Sequence, residues 1–126
     1  MKKRIKLKIL ATRIGLVADA LLQYADVCTI MLNTKDLNRV EDFKIRLSIA
    51  MELYNKLFID NHKVSVHPNP PAKYSISLEL HQALVVQCAL LGFINTNSND
   101  FKRNAIETIK NNLNETITNL SQTVTT

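Results

Sequence analysis

The hydrophobic positions of the chain follow helical spacing over most of its length. From about residue 4 to residue 32 they recur at alternating intervals of three and four, the pattern of a helix that packs along one seam. The members of this seam are Leu7, Leu10, Ile14, Val17, Leu21, Tyr24, Cys28 and Met31. The spacing therefore predicts a first helix over about residues 4–32.

The first few residues also fit a second interpretation. Residues 4–9 read Arg-Ile-Lys-Leu-Lys-Ile, and such alternation of polar and apolar residues is typical of a half-buried strand. We favour the helix because no later segment stands out as a partner strand. A short N-terminal strand is the alternative that the pattern leaves open.

A second helix is predicted over about residues 36–59, and it carries more apolar surface than one helix face needs. One stripe runs from Leu37 to Leu57, and a second stripe contains Ile45, Ile49 and Leu53. Two apolar stripes indicate either a central helix or a helix that meets another subunit.

Residues 60–74 form the only long irregular segment in this interpretation. Pro68, Pro70 and Pro71 fix three φ angles and remove three backbone donors. We therefore expect a semi-rigid crossover that spans the bundle between the second and third helices.

Two further helices are predicted over about residues 76–93 and 100–121, with a frayed tail at 122–126. The third helix is the most apolar, and we expect it to be buried on several sides. The fourth has a narrow apolar stripe and is expected to be outermost. Under this hypothesis Leu84→Asp destabilises the protein severely, whereas Ile109→Asp is milder.

Composition agrees with a helical fold. The chain has 126 residues, 46% of them hydrophobic, and only two glycines and three prolines. This length suits one domain, and so few turn-forming residues favour long helices over a sheet protein. The predicted fold is all-α, a single domain built as a bundle of four long helices.

Positive charge is concentrated at the N-terminus. The net charge is +5, yet the residues after Arg13 carry ten Lys or Arg and eleven Asp or Glu. The basic tip consists of Lys2, Lys3, Arg4, Lys6, Lys8 and Arg13. Its simplest interpretation is a solvated chain end. Phosphate contact with nucleic acid is the first functional alternative, and an anionic protein or membrane surface is the next.

No residue pattern indicates catalysis, a cofactor or a metal site. Gly15 and Gly92 stand alone, which excludes glycine-rich phosphate loops. Cys28 and Cys88 lie among apolar residues, and the three histidines match no zinc-ligand spacing. We therefore expect a protein that is not an enzyme and that uses no cofactor.

No targeting or membrane segment is expected. Arg13 and Asp19 interrupt the apolar stretch that a signal peptide would need. The longest uncharged stretch, residues 80–99, has an apolar part that is too short to cross a bilayer. A cytoplasmic protein, or a virion component if a phage encodes it, is the expectation.

The surplus of apolar helix surface leads to the first functional hypothesis, a non-enzymatic assembly protein. It would form homo-oligomers or join a larger complex such as a phage virion. The residues expected at its interface are Leu7, Leu10, Ile14, Val17, Leu21, Ile45, Ile49 and Leu53. The alternative is a small nucleic-acid-binding accessory factor that uses the basic tip.

Overall fold

The computed structural model describes residues 4–33 and 40–125, with side chains described as far as residue 120. The elements in this part of the chain are β1 (Ile5–Leu10), a 3-10 turn (Ala11–Arg13), α1 (Ile14–Leu32), α2 (Val40–Val66), β2 (Lys73–Leu78), α3 (Leu80–Thr96) and α4 (Asp100–Thr125). Over these described residues the protein is mostly helical, with four helices and a small two-stranded sheet.

The N-terminal segment is a strand, so the helix predicted over residues 4–32 begins only at Ile14. β1 pairs with β2 in antiparallel register, with Leu7 opposite Ile76. The partner strand has the sequence KYSISL, which alternates in the same way as β1. The sequence pattern assigns residues 73–78 partly to the crossover and partly to the third helix, and the alternative of an N-terminal strand is the correct one.

The proline-containing connection is also shorter than predicted. α2 continues to Val66, and β2 begins at Lys73, so residues 67–72 alone join the two elements. The expected crossover over residues 60–74 is therefore wrong, as is a bundle built of four helices alone. The predicted start of the second helix at residue 36 lies outside the described residues.

α1 lies at the centre of the core. Ile14, Val17 and Leu21 are fully buried, and the helix makes its most extensive contacts with α2 and further contacts with α3. The seam expected for a first helix thus exists from Ile14 onward. The inner face of the sheet, which includes Ile5 and Leu78, completes the core.

α3 packs against α1, α2 and α4 and buries six side chains, as expected, but the burial expected at Leu84 and at Ile109 is reversed. Leu80, Leu84 and Leu91 of α3 are 44%, 44% and 48% exposed, whereas Ile106 and Ile109 of α4 are 0% and 5% exposed. α4 packs against both α3 and β1, which buries Ile106, Ile109 and Leu113, while Phe101 near its start stays exposed. α3 instead turns one apolar side toward solvent, so apolar composition overstated its burial.

A polar link fastens the sheet to α2. The Tyr74 hydroxyl of β2 donates a hydrogen bond to Asp60 Oδ2, which also accepts from Lys56 Nζ at 3.3 Å. Partial burial alone would raise the pKa of Asp60, but these two donors lower it below its usual value. Burial and the bond to Asp60 raise the pKa of Tyr74.

The segment Ala11–Leu32 has the length and the apolar composition of a membrane span. Core helices of soluble proteins meet the same criterion, and here the segment contributes buried residues such as Val17 and Leu21. This segment alone therefore does not indicate a membrane protein.

Candidate functional site

The sheet has one solvent-exposed face, which we call the outer sheet face. It consists of Lys6, Lys8, Leu10, Lys73, Ser75 and Ser77, all of them exposed. The face forms because Lys and Ser alternate with Ile and Leu in both strands, and successive strand residues point to opposite sides. The apolar set packs on the helices, and the polar set is therefore presented to solvent.

Arg4 is anchored at one end of this face. Its Nε donates to Ser77 Oγ at 2.7 Å, and its Nη2 donates to the Ser77 carbonyl at 2.9 Å. Its Nη1 lies 3.5 Å from Glu79 Oε1. The guanidinium is thus held against β2, with part of its charge neutralised by Glu79.

The three lysines of the outer sheet face lack such partners. Lys6, Lys8 and Lys73 form no ion pair with any residue in the described ranges. Lys8 lies opposite Ser75, which makes Lys73 its diagonal neighbour, at about 7–8 Å in an antiparallel ladder. Like charges at this distance repel one another weakly in water, and a bound anion would relieve that repulsion.

The basic tip predicted from the sequence is therefore largely part of this site. Arg4, Lys6, Lys8 and Arg13 all lie in or beside β1, while Lys2 and Lys3 lie outside the described residues. Sequence reasoning missed Lys73, which joins them through strand pairing. The alternation of KYSISL was the signal that could have found it.

A groove runs between β1 and α4, and we call it the edge groove. Its deeper part has a volume of about 310 Å³. The residues that line this part are Lys8, Ile9, Leu10, Arg13, Lys73, Ala105, Thr108, Ile109 and Asn112. A second depression of about 400 Å³ shares Lys8 and Asn112 with it and continues along the strand past Lys6 to Glu115.

An arginine–aromatic pair lies at the end of the edge groove. The Arg13 guanidinium carbon is 4.6 Å from the centre of the Phe101 ring. Phe101 is 66% exposed, so its ring is solvent-accessible as well as bound to the cation. The contact orients Arg13 without a carboxylate and so leaves its charge available.

A second surface feature is the cleft between α2 and α3, with a volume of about 190 Å³. Its lining consists of Asp42, Ile45, Arg46, Ile49, His81, Leu84, Val85 and Cys88. Arg46 donates to Tyr24 Oη at 3.0 Å and to Asp42 Oδ1 at 3.2 Å, and these bonds raise its pKa further. Cys88 is exposed here, although it lies among apolar residues in the sequence.

Most residues expected at an oligomer interface lie inside the single chain. The buried ones are Leu7, Ile14, Val17, Leu21 and Leu53. They form part of one core cluster and are not available to a partner. Ile45 is 59% exposed and Leu10 is 50% exposed, while Ile49 is half-buried in the α2–α3 cleft.

Within residues 4–33 and 40–125, no three His, Cys, Asp or Glu side chains are grouped as a metal ion would require. The outer sheet face and the edge groove present cations, hydroxyl groups and apolar side chains. Comparisons with known proteins found no matching family model, no similar curated protein and no similar solved structure.

Proposed function

We propose that this protein is a non-enzymatic nucleic-acid-binding factor that contacts phosphates with its outer sheet face and the adjoining edge groove. The observation that carries the proposal is the grouping of Lys6, Lys8 and Lys73 on one exposed face without carboxylate partners in the described structure. Arg13, at the end of the 3-10 turn that follows β1, adds a fourth cation.

The chemistry of the face suits a phosphate backbone. Lysine ammonium groups and serine hydroxyl groups are common phosphate ligands, and Ser75 and Ser77 lie among the lysines. A bound phosphate would also relieve the weak repulsion between the neighbouring lysines.

The distribution of charge over the whole chain favours the same interpretation. Residues up to Arg13 carry six Lys or Arg and no acid, and the rest of the chain has a net charge of −1. The excess of +5 therefore belongs to the β1 end of the molecule. A local excess of this kind steers a polyanion toward one surface.

The proposed location is the cytoplasm or, for a phage protein, the virion.

The binding of a fluorescently labelled oligothymidylate of about 12 nucleotides tests the proposal by anisotropy. We expect the double variant Lys8→Gln/Lys73→Gln to bind at least about tenfold more weakly than the parent. Lys44→Gln/Lys63→Gln, which removes the same charge from α2, is the matched control and is expected to bind nearly as the parent does. Equal loss in both variants, or no binding by the parent, would refute a role for the outer sheet face.

A second candidate function is self-association through the α2–α3 cleft. Ile45 and Leu84 are 59% and 44% exposed on neighbouring helices, and Ile49 continues the apolar lining between them. Apolar side chains grouped in this way are typical of protein interaction surfaces. This proposal retains the assembly hypothesis but moves its interface from the α1 seam to the cleft.

Sedimentation velocity at micromolar concentration tests the second candidate. We expect the parent to sediment faster than a 14.3 kDa monomer and Ile45→Ser/Leu84→Ser to sediment as a monomer. Ile30→Ser, at a 64% exposed position on α1, is the control and should behave as the parent. A monomeric parent would contradict self-association and would leave the nucleic-acid proposal unaffected.

A further inference from the structure

We propose that the edge groove binds an unpaired base of single-stranded DNA, while the cations on its rim hold the neighbouring phosphates. This inference rests on the proposed nucleic-acid function and specifies its ligand. It follows from the volume, the apolar lining and the rim charge of the groove.

The deeper part of the groove suits a base and not a duplex. Its volume of about 310 Å³ is at the lower end of small-molecule sites. Ile9, Ala105 and Ile109 supply apolar walls on which a flat ring can pack. A base in a duplex reaches such a site only after it leaves the stack, which costs a few kcal/mol. A single strand avoids most of that cost.

The rim of the groove has the charge that a nucleotide needs. Lys8, Arg13 and Lys73 all line it, and none of the residues that line its deeper part is acidic. Thr108 and Asn112 of α4 add polar groups that can hydrogen-bond to the edge of a base. An anion with an apolar ring therefore complements this lining better than an inorganic phosphate or a neutral apolar ligand does.

The shape of the surrounding surface supports a strand that runs along β1. From the deeper part the groove continues past Lys6, and in the other direction lies the exposed Phe101 ring beneath Arg13. Cationic grooves combined with accessible aromatic rings are the usual means of binding single strands. The apolar lining also favours thymine over uracil because thymine carries a methyl group, and we therefore assign the ligand to DNA.

A pair of leucines introduced at Ala105 and Thr108 fills the groove without changing the charge of its rim. Both positions lie on α4, and Asn111→Leu, at an exposed α4 position outside the lining, is the matched control. We measure the anisotropy of labelled oligothymidylate, oligouridylate and a DNA duplex of equal length with each protein. Circular dichroism melting of each variant shows whether it remains folded.

The parent is expected to bind oligothymidylate at least about fivefold more tightly than duplex DNA, the lower end of what one base contributes. Ala105→Leu/Thr108→Leu should lose that preference and still bind duplex DNA as the parent does, while Asn111→Leu should retain it. Equal binding of both DNAs by the parent, or an unchanged preference in the filled variant, overturns this inference alone. Tighter binding of oligouridylate overturns the assignment to DNA. Absence of binding to every probe overturns the proposed function as well.

Discussion

At the scale of single residues, the place of a side chain in the alternating pattern of a strand decides whether it packs in the core or belongs to the candidate site. Ile9 and Lys8 are adjacent in β1, yet Ile9 is 6% exposed in the core while Lys8 lies on the outer sheet face. A shift of one residue in the strand register would exchange the two sets of side chains. The buried isoleucines and leucines therefore fix the placement of the lysines, and the site depends on the core beneath it.

The unexpected burial of Ile109 and exposure of Leu84 give a prediction at these two residues. Ile109→Asp places an unpaired carboxylate at a position that is 5% exposed, and we expect it to lower the free energy of unfolding by at least about 4 kcal/mol or to prevent folding. Leu84→Asp, at a position that is 44% exposed, should cost less than about 1 kcal/mol. Urea melts of both variants give the comparison, and a less stable Leu84 variant would contradict the described packing.

At the scale of elements, the sheet depends on contacts that are distant in sequence. β1 pairs with β2 through residues such as Leu7 and Ile76, and Tyr74 then ties β2 to Asp60 of α2. This link holds the two-stranded sheet against the helices, because an isolated pair of strands is only marginally stable in water.

Tyr74→Phe tests this link. The substitution keeps the ring and removes the hydrogen bond to a carboxylate, so we expect a loss of about 1.5–3 kcal/mol in the free energy of unfolding. Urea melts at neutral pH measure it. An unchanged stability would mean that the bond to Asp60 contributes nothing to holding β2.

The lowered pKa of Asp60 predicts a pH dependence of stability. Because the folded-state pKa lies below the unfolded value of about 3.9, the contribution is fully present above that pH and is lost as the pH falls through the folded-state pKa. Asp60→Asn should therefore lose less stability than the parent between about pH 4 and pH 2. Melts at several acidic pH values show the difference, and parallel curves would contradict it.

The sequence predicts the elements that form through local contacts better than those that form through contacts between distant segments. The later three helices could be predicted because each carries its own periodic pattern, although their ends were displaced. The strand pair could not be settled in the same way, since the alternation near Leu7 indicates a strand only once the alternation near Ile76 is identified as its partner. The exposed side of α3 was missed because its apolar residues include Leu84, which is 44% exposed at the cleft between α2 and α3.

The candidate site could also be predicted only in part, because some of its residues come together through contacts that are distant in sequence. The cations near the N-terminus stand out in the sequence, and four of them lie in or beside β1. Lys73 became part of the site only through pairing of distant strands, and the edge groove only through packing of α4 on β1. Neither contact leaves a local pattern in the sequence.

At the scale of the whole molecule, one N-terminal segment contributes both to the hydrophobic core and to the positively charged surface. Residues 4–13 supply core side chains such as Ile5 and Leu7 as well as the exposed cations. Removal of residues 1–8 would therefore damage the core and would not test the cations alone. We expect that truncation to lower the free energy of unfolding by several kcal/mol, since two buried aliphatic side chains cost about 2–5 kcal/mol each. A truncated protein that melts as the parent does would show that β1 is dispensable for the fold.

The most direct test of the central claim is the salt dependence of oligothymidylate binding. Four cations, Lys6, Lys8, Arg13 and Lys73, each release about 0.7 counterion from a single strand, so log affinity should fall against log salt concentration with a slope of about −3. In Lys8→Gln/Lys73→Gln the slope should become about −1.4. A parent slope near zero, or a slope unchanged in the double variant, would contradict nucleic-acid binding by the outer sheet face.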